Sequence, residues 1–244
     1  MRGSKNLPGP LLTISDPTVA ETLLDSGPDL LIADMEHSLI DVPTLQSIVM
    51  AAWKIPVLAR IRGLEKNEIK KVLDTGASGI IIPGIETVED AENAVRFSRF
   101  APAGRRGAGP GRASGYGHDF IRYSRESPLV ILQIETKNAF ADLERITAVK
   151  GIDGVFVGPV DLSIALGIEF SWQNDDFVRA VDRIKKRADD LKLITGIYSP
   201  LRREVLAEVL KREFNFLMLG MDREALVSSY KSTIEFMIRS RSPE

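Results

Sequence analysis

Short apolar runs, most of them β-branched, punctuate the chain from end to end. They are PLLTIS (10–15), DLLIADM (29–35), PVLARI (56–61), GIIIPGI (79–85), LVILQIE (129–135), GVFVGPV (154–160), ITGIYS (194–199) and FNFLMLG (214–220). Runs this short with consecutive apolar positions predict strands buried on both faces. Between them the pattern shifts to the helical period, in PTVAETLLDSG, VPTLQSIVMAAWK, EKNEIKKVLDTG, TVEDAENAVRFSRF, TKNAFADLERITAVK, DDFVRAVDRIKKRADDLK and LRREVLAEVLKREF. REALVSSYKSTIEFMIRS supplies a closing helix. Eight buried strands alternating with eight helices predict an α/β fold, a (β/α)8 TIM barrel, as one domain over residues 1–244. A doubly wound open sheet is the rival, but it carries fewer strands and a glycine-rich first turn that is missing here.

One segment breaks the rhythm. PAGRRGAGPGRASGYG (102–117) is rich in glycine, holds three arginines and reads as a long loop without a helix. Long loops in compact domains are often functional. Arg105, Arg106 and Arg112 are therefore candidates to reach an anionic ligand or a neighbouring subunit, and the sequence does not choose between them.

The chemistry gathers where strands hand over to helices, because barrel active sites form at the C-terminal ends of the strands. Asp34-Met35-Glu36-His37 follows LLIA, Gln133-Ile134-Glu135-Thr136 follows LVIL, and Gly158-Pro159-Val160-Asp161 follows GVFV. Glu135 and Asp161 leave neighbouring strands, which brings their carboxylates together. With one histidine nearby and no cysteine, the pair suits Mg²⁺ or Mn²⁺ rather than a structural zinc. His37 is either an acid–base group or the cap of the next helix. Arg60 is either an exposed edge residue, a partner of Glu36, or part of the site. Taken singly each is weak evidence; their placement on one face is what carries weight.

Composition narrows the classes. The chain has 244 residues, 44% hydrophobic and 27% charged, with a formal net charge of -2. No basic face argues for nucleic acid or an anionic membrane, and no run reaches the length of a membrane span. The absence of cysteine excludes disulfides and thiolate chemistry and agrees with a cytoplasmic, reducing compartment. No lysine lies inside a candidate strand, which argues against a Schiff-base route.

DLLIADMEHS, PVLARIRGLEKNEIKKVLDTGASGIIIPGIETVEDAENAV, GRRGAGPGRASGYG, LQIET and VFVGPVDLSIALG together resemble the successive signatures of the HpcH/HpaI family, in order from about residue 11 to 223. The resemblance implies a class II, metal-dependent pyruvate aldolase. Such an enzyme cleaves a 4-hydroxy-2-oxo acid or 2-keto-3-deoxy sugar acid to pyruvate and an aldehyde through a metal-stabilised enolate. It implies Mg²⁺, Mn²⁺ or Co²⁺ as cofactor and a homo-oligomer, usually a hexamer with a C-terminal helix exchanged between subunits. Carried over by position, the metal ligands fall on Glu135 and Asp161. Gln133 falls on a substrate contact, and the backbone amides of Val160 and Asp161 fall where the pyruvyl carboxylate is held. Arg60 matches the group that stabilises the enolate, His37 the general base, and Asp74 the acid that raises its basicity. Val160 stands where the family often has Ala or Ser, and Ser38 where Gly is common. Asp74 falls at the C-terminal end of a helix, away from the strand-end face, so it reaches His37 only indirectly or across subunits; Asp34 is the local alternative. The rival readings are a related enolate enzyme (citrate-synthase-like condensation, 2-oxo acid decarboxylase or CoA-thioester lyase) and a non-catalytic barrel serving as a binding module.

Overall fold

The structure, a computed structural model, describes residues 1–126 and 128–241. Its strands are β1 (Leu7–Leu12), β2 (Leu31–Asp34), β3 (Val57–Arg60), β4 (Gly79–Ile82), β5 (Leu129–Ile134), β6 (Gly154–Val157), β7 (Ile194–Ser199) and β8 (Phe216–Met221). All pair in parallel with their sequence neighbours, and β8 returns to β1 to close the barrel. The helices are α1 (Pro17–Leu24), α2 (Val42–Ala51), α3 (Lys66–Asp74), α4 (Val88–Ser98), α5 (Phe120–Arg125), α6 (Lys137–Ala141), α7 (Leu143–Thr147), α8 (Pro159–Leu166), α9 (Asp175–Asp190), α10 (Arg203–Leu210) and α11 (Asp222–Arg241).

Side-chain parity sorts the core into two layers. Ile32, Leu58, Ile81, Ile131, Phe156, Ile194, Phe216 and Met218 fill the barrel interior, while Ala33, Ala59, Ile80, Ile82, Leu132, Val155 and Val157 face the helices. The Phe156 and Phe216 rings stack at 5.9 Å between centroids. Gly196 makes that possible: a Cβ there would stand 2.2 Å from the Phe216 ring. Truncating a buried ring of this kind costs about 3–5 kcal/mol.

Three local readings need correction. The first strand begins at Leu7 rather than residue 10, and Thr13 has already left it. Pro8 and Pro10 fit inside it because both turn their missing N–H toward β2, whose pairing starts only at Leu11; the Pro8 carbonyl instead accepts the Asp29 N–H at 3.0 Å. The helix expected over TKNAFADLERITAVK divides at Asp142 into α6 and α7. The arginine-rich segment is not free of helix: a short 3-10 turn, Arg112–Gly117, precedes α5.

That segment is fastened to the far end of the barrel. The Arg106 side chain is fully buried, donates to Asp74 Oδ1 at 2.6 Å, and lies over the Phe100 and Tyr123 rings at 4.8 and 5.2 Å. Arg112 Nη1 donates to the Thr75 carbonyl at 3.1 Å, and Arg105 is exposed. Among the described residues no helix is long and apolar enough to cross a membrane.

Candidate active site

The inward-facing rows of the barrel run upward from hydrocarbon into polar groups. Two residues beyond Ile32, Leu58, Ile131 and Phe156, on the same side of each strand, come Asp34, Arg60, Gln133 and Gly158. One further step of two reaches Glu36 and Glu135. The cleft is thus the top layer of the barrel interior, with strand alternation carried past the strand ends.

Asp34 organises one wall. It is paired in register with Arg60 on the neighbouring strand and is 1% exposed. Its Oδ1 accepts Arg60 Nε at 3.0 Å and its Oδ2 accepts Arg60 Nη2 at 2.9 Å, a two-pronged ion pair. Oδ1 also accepts the Glu36 N–H at 3.0 Å and the His37 N–H at 3.2 Å, which folds the turn carrying both side chains. Arg60 Nε lies 3.3 Å from Glu36 Oε2 as well. Burial works against the charge on Arg60, but the bonds and charges of Asp34, Glu36 and Glu135 outweigh it and hold its pKa above the ordinary value. Glu36 is the opposite case. Burial pushes its carboxyl up to about 7, against the pull of Arg60 and His37 and with added push from Glu135 and Asp34. His37 is exposed, with Nε2 3.7 Å from Glu36 Oε1.

Glu135, just past β5, and Asp161, in the first turn of α8, are close enough for the charge of Asp161 to act on Glu135. Glu135 is 8% exposed; its Oε1 accepts the Gly84 N–H at 2.9 Å, and its Oε2 accepts from Gln133 Nε2. Burial raises its pKa, and the negative charge of Asp161 adds to the rise. Among the described residues neither carboxylate has a cationic side chain within ion-pair distance. Gly158 leaves room for Glu135: a Cβ would stand 2.8 Å from Glu135 Oε2 and 3.2 Å from its Cβ, so the carboxylate would have to shift. Pro159 then opens α8 without a backbone donor, and the Val160 and Asp161 amides, in the first turn, have no protein acceptor among the described residues. Free amides at a helix start favour an anion.

These groups suit a hard divalent cation. No group of three or more His, Cys, Asp or Glu side chains forms a closed metal site among the described residues. Two carboxylates, each oxygen of which keeps a lone pair beyond the one hydrogen bond it accepts at most, are instead what Mg²⁺ takes from a protein when substrate and water complete its shell. The buried oxygens Gln133 Oε1 and Glu36 Oε2 lack a hydrogen-bond partner, which also fits a site that something else completes.

Most of the residues singled out in the sequence meet here. His37, Arg60, Val160 and Asp161 line one cleft of about 200 Å³ with Asp34, Gly158 and Pro159, and Gln133 and Glu135 stand against Gly158. Asp74 is not among them. It closes α3 at the opposite end of the barrel and pairs with Arg106, so within one chain it does not support His37. The carboxylate beside His37 is Glu36, and Asp34 fixes the backbone of both. The sequence reading gave Glu36 no role of its own and missed Thr13, Tyr198 and Arg223, which line the same cleft. Parity from Ile32 was the available signal for Glu36.

A family model described as HpcH/HpaI aldolase/citrate lyase matches residues 11–229. A hydroxypyruvate/pyruvate aldolase of Roseobacter denitrificans is 34% identical over 227 residues, covering 91% of this chain and 88% of its own. A 5-keto-4-deoxy-D-glucarate aldolase of Escherichia coli is 33% identical over 215 residues, covering 86% and 83%. The crystal structure of an HpcH/HpaI aldolase/citrate lyase family protein from Burkholderia cenocepacia superposes with a TM-score of 0.88 at 28% identity, covering 96% of this chain and 95% of that one.

Proposed function

The chain belongs to the HpcH/HpaI aldolase/citrate lyase family, and on that footing we infer a class II pyruvate aldolase. It reversibly cleaves a 4-hydroxy-2-oxo acid or 2-keto-3-deoxy sugar acid to pyruvate and an aldehyde. The observation that carries this reading is Glu135, a buried carboxylate beside a second one, Asp161, with no cationic side chain within ion-pair distance of either among the described residues; the charge of Arg60 reaches Glu135 only from farther off. A buried charge left unpaired is costly, and a bound cation removes that cost.

Glu135 and Asp161 would hold a divalent ion, Mg²⁺, Mn²⁺ or Co²⁺. When bound, it supplies Lewis-acid polarisation of the 2-oxo group. The Val160 and Asp161 amides hold the substrate carboxylate at the start of α8. Gln133 keeps Glu135 in place and stands by for the substrate. Arg60 is held rigid by Asp34, so its positive charge waits where the C2 oxygen becomes negative as the C3–C4 bond breaks. His37, the exposed base beside Glu36, takes the proton from the C4 hydroxyl. A contribution of Asp74 to that base would require the Asp74 of a neighbouring subunit. No lysine lines the cleft to offer a Schiff base.

Oligomerisation belongs to the same proposal. Leu226, Val227, Tyr230, Ile234, Met237 and Ile238 form an exposed apolar stripe along α11 at helical spacing. Such a stripe is what a helix exchanged between the subunits of a hexamer would bury. The test of the activity is chelation. EDTA is expected to abolish cleavage, and Mg²⁺, Mn²⁺ or Co²⁺ to restore it. Full activity in chelated enzyme, with borohydride trapping substrate on a lysine, would sink the reading.

A further inference from the structure

One charge at the mouth of the cleft is left unused by the reaction just described. Arg223, the second residue of α11, lines the cleft beside Thr13, Tyr198 and Met221, on the β8–β1 side. It is anchored twice. Its backbone N–H donates to Asp222 Oδ1 at 2.8 Å, and its Nη2 donates to the Thr13 carbonyl at 2.6 Å. Asp222 in turn accepts the Thr13 and Ile14 N–H groups at 2.9 Å each and the Thr13 hydroxyl at 2.5 Å. Those donors occupy the Asp222 carboxylate, and among the described residues Arg223 has no ion-pair partner. Arg60, the other guanidinium in the cleft, is committed to Asp34 and Glu36. Arg202 and Glu224 act on the Tyr198 hydroxyl with opposite signs, but neither lines the cleft.

The positions along the barrel rim divide the substrate. Glu135, Asp161 and the α8 amides on β5 and β6 serve the C1 and C2 end, and Arg60 and His37 on β3 and β2 serve the oxygens that change charge. The β8–β1 wall is left for the rest of the carbon chain. Resting on the aldolase reading, we propose that Arg223 binds a second carboxylate at the aldehyde end of the substrate and sets a preference for dicarboxylic 4-hydroxy-2-oxo acids. Nη2 spends one of its two N–H groups on Thr13, its second N–H forms an edge with Nε or with Nη1, and such an edge matches a carboxylate in geometry and charge. The argument is electrostatic. Asp34 is answered by Arg60 and the carboxylates of Glu135 and Asp161 by a bound divalent ion, so Arg223 is the cleft-lining charge left over to attract a second substrate anion.

The test compares the metal-loaded enzyme with Arg223→Gln and Arg223→Lys on 4-hydroxy-2-oxoheptane-1,7-dioate and 4-hydroxy-2-oxopentanoate. The wild type is expected to favour the dioate. Arg223→Gln should lower kcat/KM for the dioate by about tenfold to a hundredfold, the range of a lost hydrogen bond to a charged group, mainly through KM. Its kcat/KM on the monoacid should stay within about twofold, because that substrate offers the side chain no charge to bind. Arg223→Lys should fall between, keeping the charge and losing the planar edge. Equal losses on the two substrates would place Arg223 at the shared pyruvyl end or in the framework and overturn the proposal. Unchanged dioate kinetics would overturn it too. If the wild type cleaved neither of these nor a 2-keto-3-deoxy sugar acid, the aldolase reading itself would fail and the proposal with it. Cleavage of the sugar acid alone would overturn the proposed preference, whereas a failure confined to Arg223 leaves metal-dependent cleavage of the monoacid intact.

Discussion

Removing Arg60 tests whether one side chain serves both frame and chemistry. Arg60→Ala takes a donor away from the developing oxyanion, and loss of one such donor costs about 10²–10³ in kcat. It also strands Asp34, whose side chain is 2% exposed and whose two prongs then face no guanidinium. Breaking a buried pair by deleting one partner costs about 3–5 kcal/mol, a large share of the ordinary 5–15 kcal/mol of a folded protein. A drop in activity of the alanine variant is therefore ambiguous alone. Arg60→Lys separates the two effects. An ammonium can still neutralise Asp34, so most of the stability is expected to survive, but it cannot occupy both Asp34 oxygens and face the substrate at once. The expected pattern is a destabilised, inactive alanine variant and a nearly stable, still impaired lysine variant. Urea unfolding gives the first quantity and single-turnover cleavage the second. Lysine turnover within about threefold of wild type, far inside the loss expected for a missing donor, would refute the oxyanion role. So would an alanine variant that kept its rate.

Two further outcomes follow from the same wall of the cleft. His37→Ala should slow aldol cleavage by about 10²–10⁴, the range for lost acid–base catalysis, while calorimetric metal affinity holds; that variant should still decarboxylate oxaloacetate, which has no C4 hydroxyl, and equal losses on both substrates would remove the base role. Glu36, lifted to about 7 from its ordinary 4.5, binds its proton more tightly folded than unfolded, so the stability of chelated protein should fall as pH rises from about 4.5 to 7 and level off above. The full shift would amount to about 3 kcal/mol, and partial solvation of Glu36 reduces it to about 1–2 kcal/mol. Glu36→Gln should flatten that slope in urea melts at pH 5 and 8; an unchanged slope would assign the rise elsewhere.

The strands were legible because a parallel barrel buries both faces of each one, and short, β-branched apolar runs alternating with helical patterns are what that leaves in the sequence. Where a run contained its own end, the pattern failed. GVFVGPV reads as one strand, yet β6 stops at Val157 and Pro159 already begins α8. PVDLSIAL is short and apolar nearly all round, so it shows no amphipathic period to mark it. Glu135, Asp161, Arg60 and His37 were visible as polar residues at strand ends. What joins them was not. The Asp34–Arg60 pair depends on register between two strands, and the value of Glu36 depends on counting parity from Ile32. Asp74 is a different case: its role comes from likeness alone, and within one chain it accepts from Arg106, which leaves only the route across subunits.

Charge placement ties these observations together. Five charged residues are buried among those described: Asp34, Arg99, Arg106, Glu135 and Asp222. Asp34 holds Arg60, Arg99 holds Asp153 at 2.5 Å, and Arg106 holds Asp74 at 2.6 Å. Asp222 has no cation but takes three backbone N–H groups and a hydroxyl. Glu135 alone has neither a cation within ion-pair distance nor a full set of donors, with one backbone N–H and one side-chain amide. Desolvation of a carboxylate costs several kcal/mol, and among these five buried charged residues that cost is left least compensated at Glu135, at the cleft. Across the same cleft Arg223 presents a positive charge with no carboxylate to receive it. A buried carboxylate without an ion-pair partner on one wall and an exposed guanidinium without one on the other fit a ligand set that brings both signs. A divalent metal ion with an anionic oxo-acid substrate does that, and a neutral ligand would leave both charges unanswered.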